Sequence, residues 1–582
     1  MKRILALLLC LAMLVGIMAA CGGDSGSSAP ESSKTESSKT ESSEAGGDAE
    51  SSEASEGGEG GEPSAEVVNS TNPGTQLPIV TEPVTLRIAK ERHMLDTTKS
   101  YNEKASFKNI TEETGLTLEF VELAAGTSGE KVPLMLAGGD MPDVFWALIS
   151  DSQILQNEGQ LVPLEDMLET YAPNCLATYD QIESADWRQI MTTPSGHIYG
   201  MLGRYESLFE NTGDGIQIIN KKWLDAVKKD IPTTLDEYKE VLKAFKDGDP
   251  NGNGDTTDEI PYCFSEDMWC ASLTNDMGQF GMGHGGATGD NANTMFTIID
   301  GKVGPAVTTP EYREYLEYYH DLYSEGLIDQ EGFSQNTEVF SNKIKNDQVG
   351  TYYSWTALEY LSAEQEKDWV VLPTMKAHED TVAVANGEID RSTIQKNKWV
   401  ITKQCEHPEA ALRLWDYLAR DTESKMTVAM GEKGILWDEY EDGSGYYFVV
   451  PEDTTPEFTF EHMKYTYGTV NDPPLMTKAE TPKNDGEISP AAALRDEMVK
   501  QVNQDFIAKE NQLPQIYVTP EATDDRSFME TDLFAEAKKF RAQAVMNGFS
   551  DDEWNAYVKR MEDLRYNDWL QWYQDYMDGN LN

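Results

Sequence analysis

The sequence predicts an α/β protein of two lobes followed by a largely helical C-terminal part. Three observations lead to that class. Roughly 500 residues of mixed composition follow a low-complexity opening, which is enough chain for two lobes with separate cores. Short alternating runs suited to strands are interleaved with stretches of helical periodicity. From Pro490 onward the pattern is mostly helical, including Glu553–Met577.

The chain opens with Lys2 and Arg3, an apolar run from Ile4 to Ile17, and small residues before a cysteine. That order marks residues 1–20 as a secretory signal, because the run is short for a bilayer span and its flanks suit cleavage. Met18-Ala19-Ala20-Cys21 resembles a bacterial lipobox. The resemblance implies that Cys21 becomes a lipidated N-terminus and that acyl chains alone hold the protein to the membrane. A secreted protein in which Cys21 is incidental is the alternative. From Gly22 to Val80 the chain repeats Glu-Ser-Ser and Lys-Thr units with almost no apolar residue, so residues 21–80 are predicted to be a lipidated cysteine and a disordered tether. As a flexible coil it reaches roughly 40 Å. Such a spacer suits the outer face of a single membrane beneath a thick wall, as in Gram-positive bacteria.

Val84–Ala89 and Leu116–Val121 alternate as strands, a helix around Val132–Leu136 stops at Gly138-Gly139, and Pro142–Trp146 reads as the next strand. Ligands of open α/β sheets bind outside the carboxyl ends of strands. Trp146 is therefore a positional candidate for a ligand contact, with core packing as the alternative. His197–Met201 reads as a strand near a crossing, with Arg204 and Tyr205 after it. The first lobe is expected over 81–214, with a return segment at about 346–400, and the second over 215–345, continued at about 401–582. Asn220 is placed to cap a helix that buries Trp223, Leu224 and Val227. Tyr312, Leu316, Tyr319 and Leu322 share one face of a helix, as do Leu412, Trp415 and Leu418, and both stripes read as core. Trp269 and Phe280 stand on irregular polar sequence, where large aromatics call for a function. Aromatic faces stack on the C–H faces of sugar rings, so tryptophans at a cleft suit saccharides.

The most specific stretch is Asn220–Tyr262. Thr234 and Glu237 have capping-box spacing, and Leu235, Tyr238, Val241, Leu242 and Phe245 recur at helical intervals up to Asp247-Gly248. Beyond them Asp249, Asn251, Asn253, Gly254, Asp255, Asp258 and Glu259 set oxygen-bearing side chains around a glycine, as a Ca²⁺ loop of hard oxygen ligands requires. The EF-hand's twelfth position falls on Ile260, and Ile260-Pro261 leads out in place of a second helix, so a different loop geometry is expected. An Asx-rich turn is the plainer alternative.

The WL-containing helix, PTTLDE, DPNGNG and DEIP together, supported by LAGGDMPDVFW (Leu136–Trp146), resemble the extracellular solute-binding proteins of carbohydrate ABC importers, in the large calcium-loop lipoprotein branch. The resemblance runs from about residue 82 to near the C-terminus. It implies a periplasmic-binding-protein-like fold with an interlobe cleft and hinge, and a structural Ca²⁺ held by Asp249, Asn251, Asn253, Asp258, Glu259 and the Asp255 carbonyl. It also points to Trp146, Trp355 and Trp437 as ligand contacts, with Gln348–Trp355 read as a strand returning to the first lobe and Gly431–Trp437 as a segment closing over the cleft; Tyr205, Trp269 and Arg391, the last just before the crossing strand Trp399–Thr402, are added as candidates by their sequence setting. The implied partners are a carbohydrate, an oligosaccharide in particular, and ABC permease subunits. The chain itself is expected to be monomeric and to have no catalytic residues.

Net charge is -55, which removes the basic surface that nucleic acids need and disfavours anionic polysaccharides. A glycan-cleaving enzyme would need paired carboxylates, and with 102 acidic residues their spacing says nothing for or against one. A peptide-binding or sensing lipoprotein is the remaining alternative. Cys263 and Cys270 are spaced for a small disulfide, with free thiols equally open. His284 in GMGHGG lacks the Lys-Ser/Thr of a phosphate loop. No Cys/His cluster has metal spacing.

Overall fold

The computed structural model describes residues 70–183, 185–206, 216–268, 270–283, 294–384, 394–485, 487–488 and 513–581. Strands β1 (Val84–Glu91), β2 (Leu116–Leu123), β3 (Val144–Trp146) and β4 (Gly200–Arg204) precede β5 (Ile216–Asn220) and β6 (Ile260–Tyr262). The hairpin of β7 (Phe296–Ile299) and β8 (Lys302–Pro305) comes next, then β9 (Val349–Ser354), β10 (Trp369–Val371) and β11 (Ile394–Ile401). A last hairpin pairs β12 (Trp437–Glu439) with β13 (Tyr446–Phe448).

These strands form two main sheets. The first has the order β2-β1-β3-β11-β4, with β1 parallel to β2 and β3, and β11 antiparallel to β3 and β4. The second has the order β10-β5-β9-β6, with only β9 and β6 parallel. Side chains alternate across a strand, and the first sheet uses both faces. Ile88, Val144, Trp146 and Trp399 enter one core and Ala89, Phe145 and Val400 another. The second sheet likewise sends Ile219 and Tyr262 to one core and Ile216, Ile218 and Tyr352 to the other.

Local signals are realised where expected. Asn220 caps the Lys221–Val227 helix through Trp223 N. Thr234 caps Leu235–Asp247, whose Leu235, Tyr238, Val241, Leu242 and Phe245 are all buried. Glu237 turns from the reciprocal capping bond to accept the N–H and hydroxyl of Thr233 instead. The stripes of Pro310–Ser324 and Pro408–Leu418 are core.

Three expectations are corrected. Gln348–Trp355 does not return to the first sheet: β9 lies inside the second, between β5 and β6, and the return is made by β11. Residues after 401 do not continue the second half directly, because Pro408–Leu418 packs on β11, where Trp399 stacks on Trp415 at 5.1 Å and donates from Nε1 to Ala411 O. The tether ends before Val80, since Ile79 and Val80 are buried in the first core and Thr71 bridges to Val80. Asn72 O and Gln76 O each accept from Arg413. These few apolar residues close the low-complexity stretch and supply apolar side chains that its composition otherwise lacks. The helical reading of Glu553–Met577 holds, as two helices, Asp551–Asp563 and Tyr566–Met577, that meet at Arg565 with φ 69°.

The C-terminal helices pack on the second half. Trp569 and Tyr573 lie 5.8 and 4.6 Å from Phe296, and Trp554 lies 6.4 Å from Tyr312. Among the described residues no helix is long and apolar enough to cross a membrane.

Candidate functional site

Parallel strands of the first sheet end at Glu91 and Trp146, on either side of the point where chain order reverses from β2 to β3, the position where open sheets leave a crevice. Here that point is covered. The Asp472 backbone carbonyl accepts from Trp146 Nε1 (3.0 Å), and its carboxylate lies between Lys90 Nζ (2.5 Å) and Lys398 Nζ (2.6 Å). Burial would raise the Asp472 pKa, but the Lys398 and Lys90 charges prevail and hold it well below the usual carboxylate range. The covering segment is fastened to the edge of the sheet by Arg204 N to Pro473 O and Met476 N to Arg204 O.

Trp146 is therefore a core residue. It is 0% exposed, with Trp399, Trp415 and Phe107 around its ring and Lys90 Nζ 4.4 Å from its centroid. Tyr205 and Trp437 are corrected in the same way. Tyr205 is buried and spends its hydroxyl on Val470 O at 2.6 Å. Trp437 is 0% exposed among Met430, Phe448 and Met463, with Nε1 donating to Gly431 O. Phe280, also singled out, packs against Tyr315 and Tyr318 in the core. Trp269, Arg391, His284 and Cys21 lie outside the described residues.

Of the 12 tryptophans, Trp355 alone among the described residues is not buried. It follows the last residue of β9 directly. Its backbone N–H and the Ser354 hydroxyl (2.6 Å) both bond the Glu359 carboxylate. Burial raises the pKa of that carboxyl to about 7, Ser354 opposing and the Glu461 charge adding to it. The turn Ala357–Glu359 meets the helix Phe460–Tyr467, which belongs to the segment covering the first sheet. Thr454 Oγ1 accepts from Ala363 N at 3.0 Å, and Leu358 and Ala363 share a core cluster with Phe460 and Met463.

On that helix Tyr465 stacks on His93 with ring centroids 3.5 Å apart and planes within 7°. Burial, together with the charges of Glu461, Asp472 and Glu359, drives the Tyr465 hydroxyl far above its ordinary value. The Trp355 turn thus lies beside the Tyr465 helix. His93, two residues past β1, is solvent-exposed, yet burial lowers its imidazole pKa. Trp355 and the His93–Tyr465 stack thus stand on neighbouring elements contributed by both halves of the chain. Sequence reasoning missed His93, although its position after a strand's carboxyl end was a usable signal. Nothing in HMKYTYG singled out Tyr465.

The loop after Leu235–Asp247 bears on a metal. Gly252 and Gly254 have φ of 76° and 89°, left-handed values that glycine adopts without strain. Asp249 Oδ2 accepts Gly254 N, and Asn253 Nδ2 donates to Asp258 Oδ2. Asn251 Oδ1 and Asn253 Oδ1 accept Asn253 N and Asp255 N, and Asp255 Oδ1 is taken by Thr257. Asp258 Oδ1 and both Glu259 carboxylate oxygens are buried without a hydrogen-bond partner. Burial, then the charges of Asp258, Asp249 and Asp255, raise the Glu259 pKa. Unsatisfied buried carboxylate oxygens are costly, and a hard divalent cation removes that cost. The residues fit Ca²⁺, with Asn and carbonyl oxygens completing the donor set. Among the described residues no three His, Cys, Asp or Glu side chains are gathered to hold an ion by themselves. Asn251 Nδ2 donates to Asp347 O, and Ile260 N to Gln348 O, so the loop ties the helix end to the start of β9. Cys175, Cys263, Cys270 and Cys405 are buried thiols, and Cys263 and Cys270 form no disulfide with each other.

Comparison with known proteins places this geometry among relatives. A family model described as bacterial extracellular solute-binding protein matches residues 105–433. The fructooligosaccharide ABC transporter substrate-binding protein FusA of Streptococcus pneumoniae serotype 4 is 26% identical over 503 residues, covering 82% of this chain and 88% of that protein. Lipoprotein LipO of Bacillus subtilis is 25% identical over 275 residues, 46% of this chain and 50% of that protein. The structure of FusA in complex with kestose superimposes with a TM-score of 0.71 at 24% identity, over 85% of this chain and 99% of that one. A second FusA structure is described as an EF-hand mutant in complex with fructo-nystose. The HMO binding ABC-transporter associated solute binding protein of Bifidobacterium longum infantis superimposes with a TM-score of 0.70 at 21% identity, over 86% of this chain and 100% of that one.

Proposed function

The chain belongs to the bacterial extracellular solute-binding proteins, a family that binds its solute without transforming it, and from that premise we propose that it captures an oligosaccharide and delivers it to an ABC permease. The observation that carries this reading is the placement of Trp355, the one described tryptophan left partly accessible, at the end of β9 beside the His93–Tyr465 stack. Aromatic faces from two halves of a protein suit a sugar held between them, because ring stacking buries the C–H faces and leaves the hydroxyls to polar groups. Capture follows as a closure favoured only when both halves make contact. The acidic balance of the chain favours a neutral sugar over an anionic one. Relatives named for fructooligosaccharide and HMO binding support an oligosaccharide of that kind.

Calcium enters as a structural ion. Asp249, Asn251, Asn253, Asp258, Glu259 and the Asp255 carbonyl would hold it, and it would neutralise the orphaned carboxylates of that loop. The EF-hand named in a FusA structure supports this assignment. Outside the described residues, Cys21 is proposed as the lipidated anchor on the extracellular face of the membrane. The name of the LipO relative supports this anchor. Trp269 and Arg391 remain proposed ligand contacts on the grounds given by the sequence.

The test is thermal stability with Ca²⁺ against kestose, nystose, milk-type oligosaccharides, acidic oligosaccharides and peptides. A ligand at a hundred times its Kd adds about 2.7 kcal/mol. A shift with one neutral class, the sugar being recovered intact, is expected. A shift with peptides alone, or recovery of cleaved sugar, refutes the reading. Trp355→Ala should weaken the active sugar by about 2 kcal/mol, roughly 30-fold, while the ligand-free melting temperature holds, since the ring is not part of a core.

A further inference from the structure

Two consecutive residues near the C-terminus enter different halves of the protein. Tyr517 is 3% exposed and belongs to the first-sheet core with Phe145, Ile154 and Val400. Val518 packs on the second core, as does Leu513. The segment between them is held from both sides. On the second-half side the Tyr576 hydroxyl donates to Pro514 O and Ile516 O, and Thr519 caps the helix Pro520–Asn547, whose Leu533 and Ala537 are in the second core.

On the first-sheet side Tyr517 docks at an irregularity of β11. The pairing of β11 with β4 shifts between Gln395 and Trp399, and Asn397 there has φ 61°. Tyr517 Oη donates to Asn397 Oδ1 at 2.6 Å, and Asn397 Nδ2 donates to Asp151 Oδ1 at 2.9 Å. Lys396 Nζ lies 2.8 Å from Asp151 Oδ2 and 3.8 Å from the Tyr517 ring centroid. β11 is the strand by which the chain returns from the second sheet to the first, and conformational changes between halves are absorbed at a few such element-terminal or bulged residues.

We propose that Leu513–Thr519 is a strap that limits how far the two halves separate, with Tyr517 as the positioning residue that locks the Asn397 bulge. The strap touches no ligand. It sets the ligand-free opening, and so how much ordering the ligand must drive. This rests on the capture-by-closure reading, and the experiment separates the two.

Spin labels at Asp140→Cys, where the side chain is 87% exposed, and Ile299→Cys, 61% exposed, report the distance between halves in the full chain without ligand. Tyr517→Phe keeps the ring and loses one hydrogen bond. Asn397→Gly keeps a backbone that tolerates the positive φ and loses both side-chain bonds. Both variants are expected to shift the distance distribution to longer, broader values, and to weaken kestose binding by about 2- to 10-fold where the parent protein binds it. Unchanged distributions in both variants overturn the strap, even if thermal stability falls, because that result describes a packing residue only. Longer distances in a protein that binds no kestose uphold the strap and count against the choice of sugar.

Discussion

Asp472→Asn is the perturbation that most directly probes how the first sheet is closed. The carboxylate is shared by Lys90 and Lys398 at 2.5 and 2.6 Å, and the lysine side chains are 3% and 9% exposed. One anion serves two cations. This is why its own pKa falls although burial opposes it, whereas the Lys90 pKa is lowered, burial outweighing its share of Asp472. An amide of the same shape leaves two buried ammonium groups without a counter-charge, and removing one partner of a buried pair costs about 3–5 kcal/mol. The expected loss lies at the upper end of that range. It should be read by urea denaturation followed through tryptophan fluorescence, because Trp146, Trp399 and Trp415 are packed beside the cluster. A depressed carboxylate pKa stabilises above the unfolded value of about 3.9 and stops doing so as pH falls through the folded value. The parent protein should therefore lose a stability increment in acid, below about pH 4, that the variant never had. Adding Lys398→Met to Asp472→Asn should recover part of the loss. A single variant within about 1 kcal/mol of the parent, with the same acid transition, would refute the claim that this ion cluster holds the covering segment down.

Glu359→Gln tests the buried carboxyl beside Trp355. Its raised pKa of about 7 means that the carboxyl stabilises at low pH and that this contribution is lost as pH rises through that value. The variant should melt higher than the parent at pH 8 and no higher at pH 5. Chelation of Ca²⁺ should lower the melting temperature, the more so as pH rises, since the Glu259 pKa is raised by burial and neighbouring carboxylates. Glu259→Gln should blunt both effects. An unchanged melting curve in chelator would remove the metal. The four described cysteines should react with a thiol reagent only after denaturation, because all are buried thiols outside any disulfide.

The sequence by itself determined the local elements and the chemistry that is local in the chain. Thr234 and Asn220 cap their helices because a cap needs only its own first turn. The oxygen-rich loop from Asp249 to Glu259 is written within a dozen residues, and DPNGNG with PTTLDE was enough to point to the family. Tertiary structure decided which aromatic stays partly accessible. Trp146 stands at the strand end where a ligand would be expected, yet it is sealed by Asp472 from a distant part of the chain. Trp437 and Tyr205 are closed over in the same way. The sheet to which β9 belongs was equally illegible, since its alternation fits either partner and only long-range pairing chooses between them. The stack of His93 on Tyr465 beside the Trp355 turn, and the seating of Tyr517 on the β11 bulge, arise from residues far apart in the chain. Their proximity comes from the packing of separate cores, and no local periodicity encodes it.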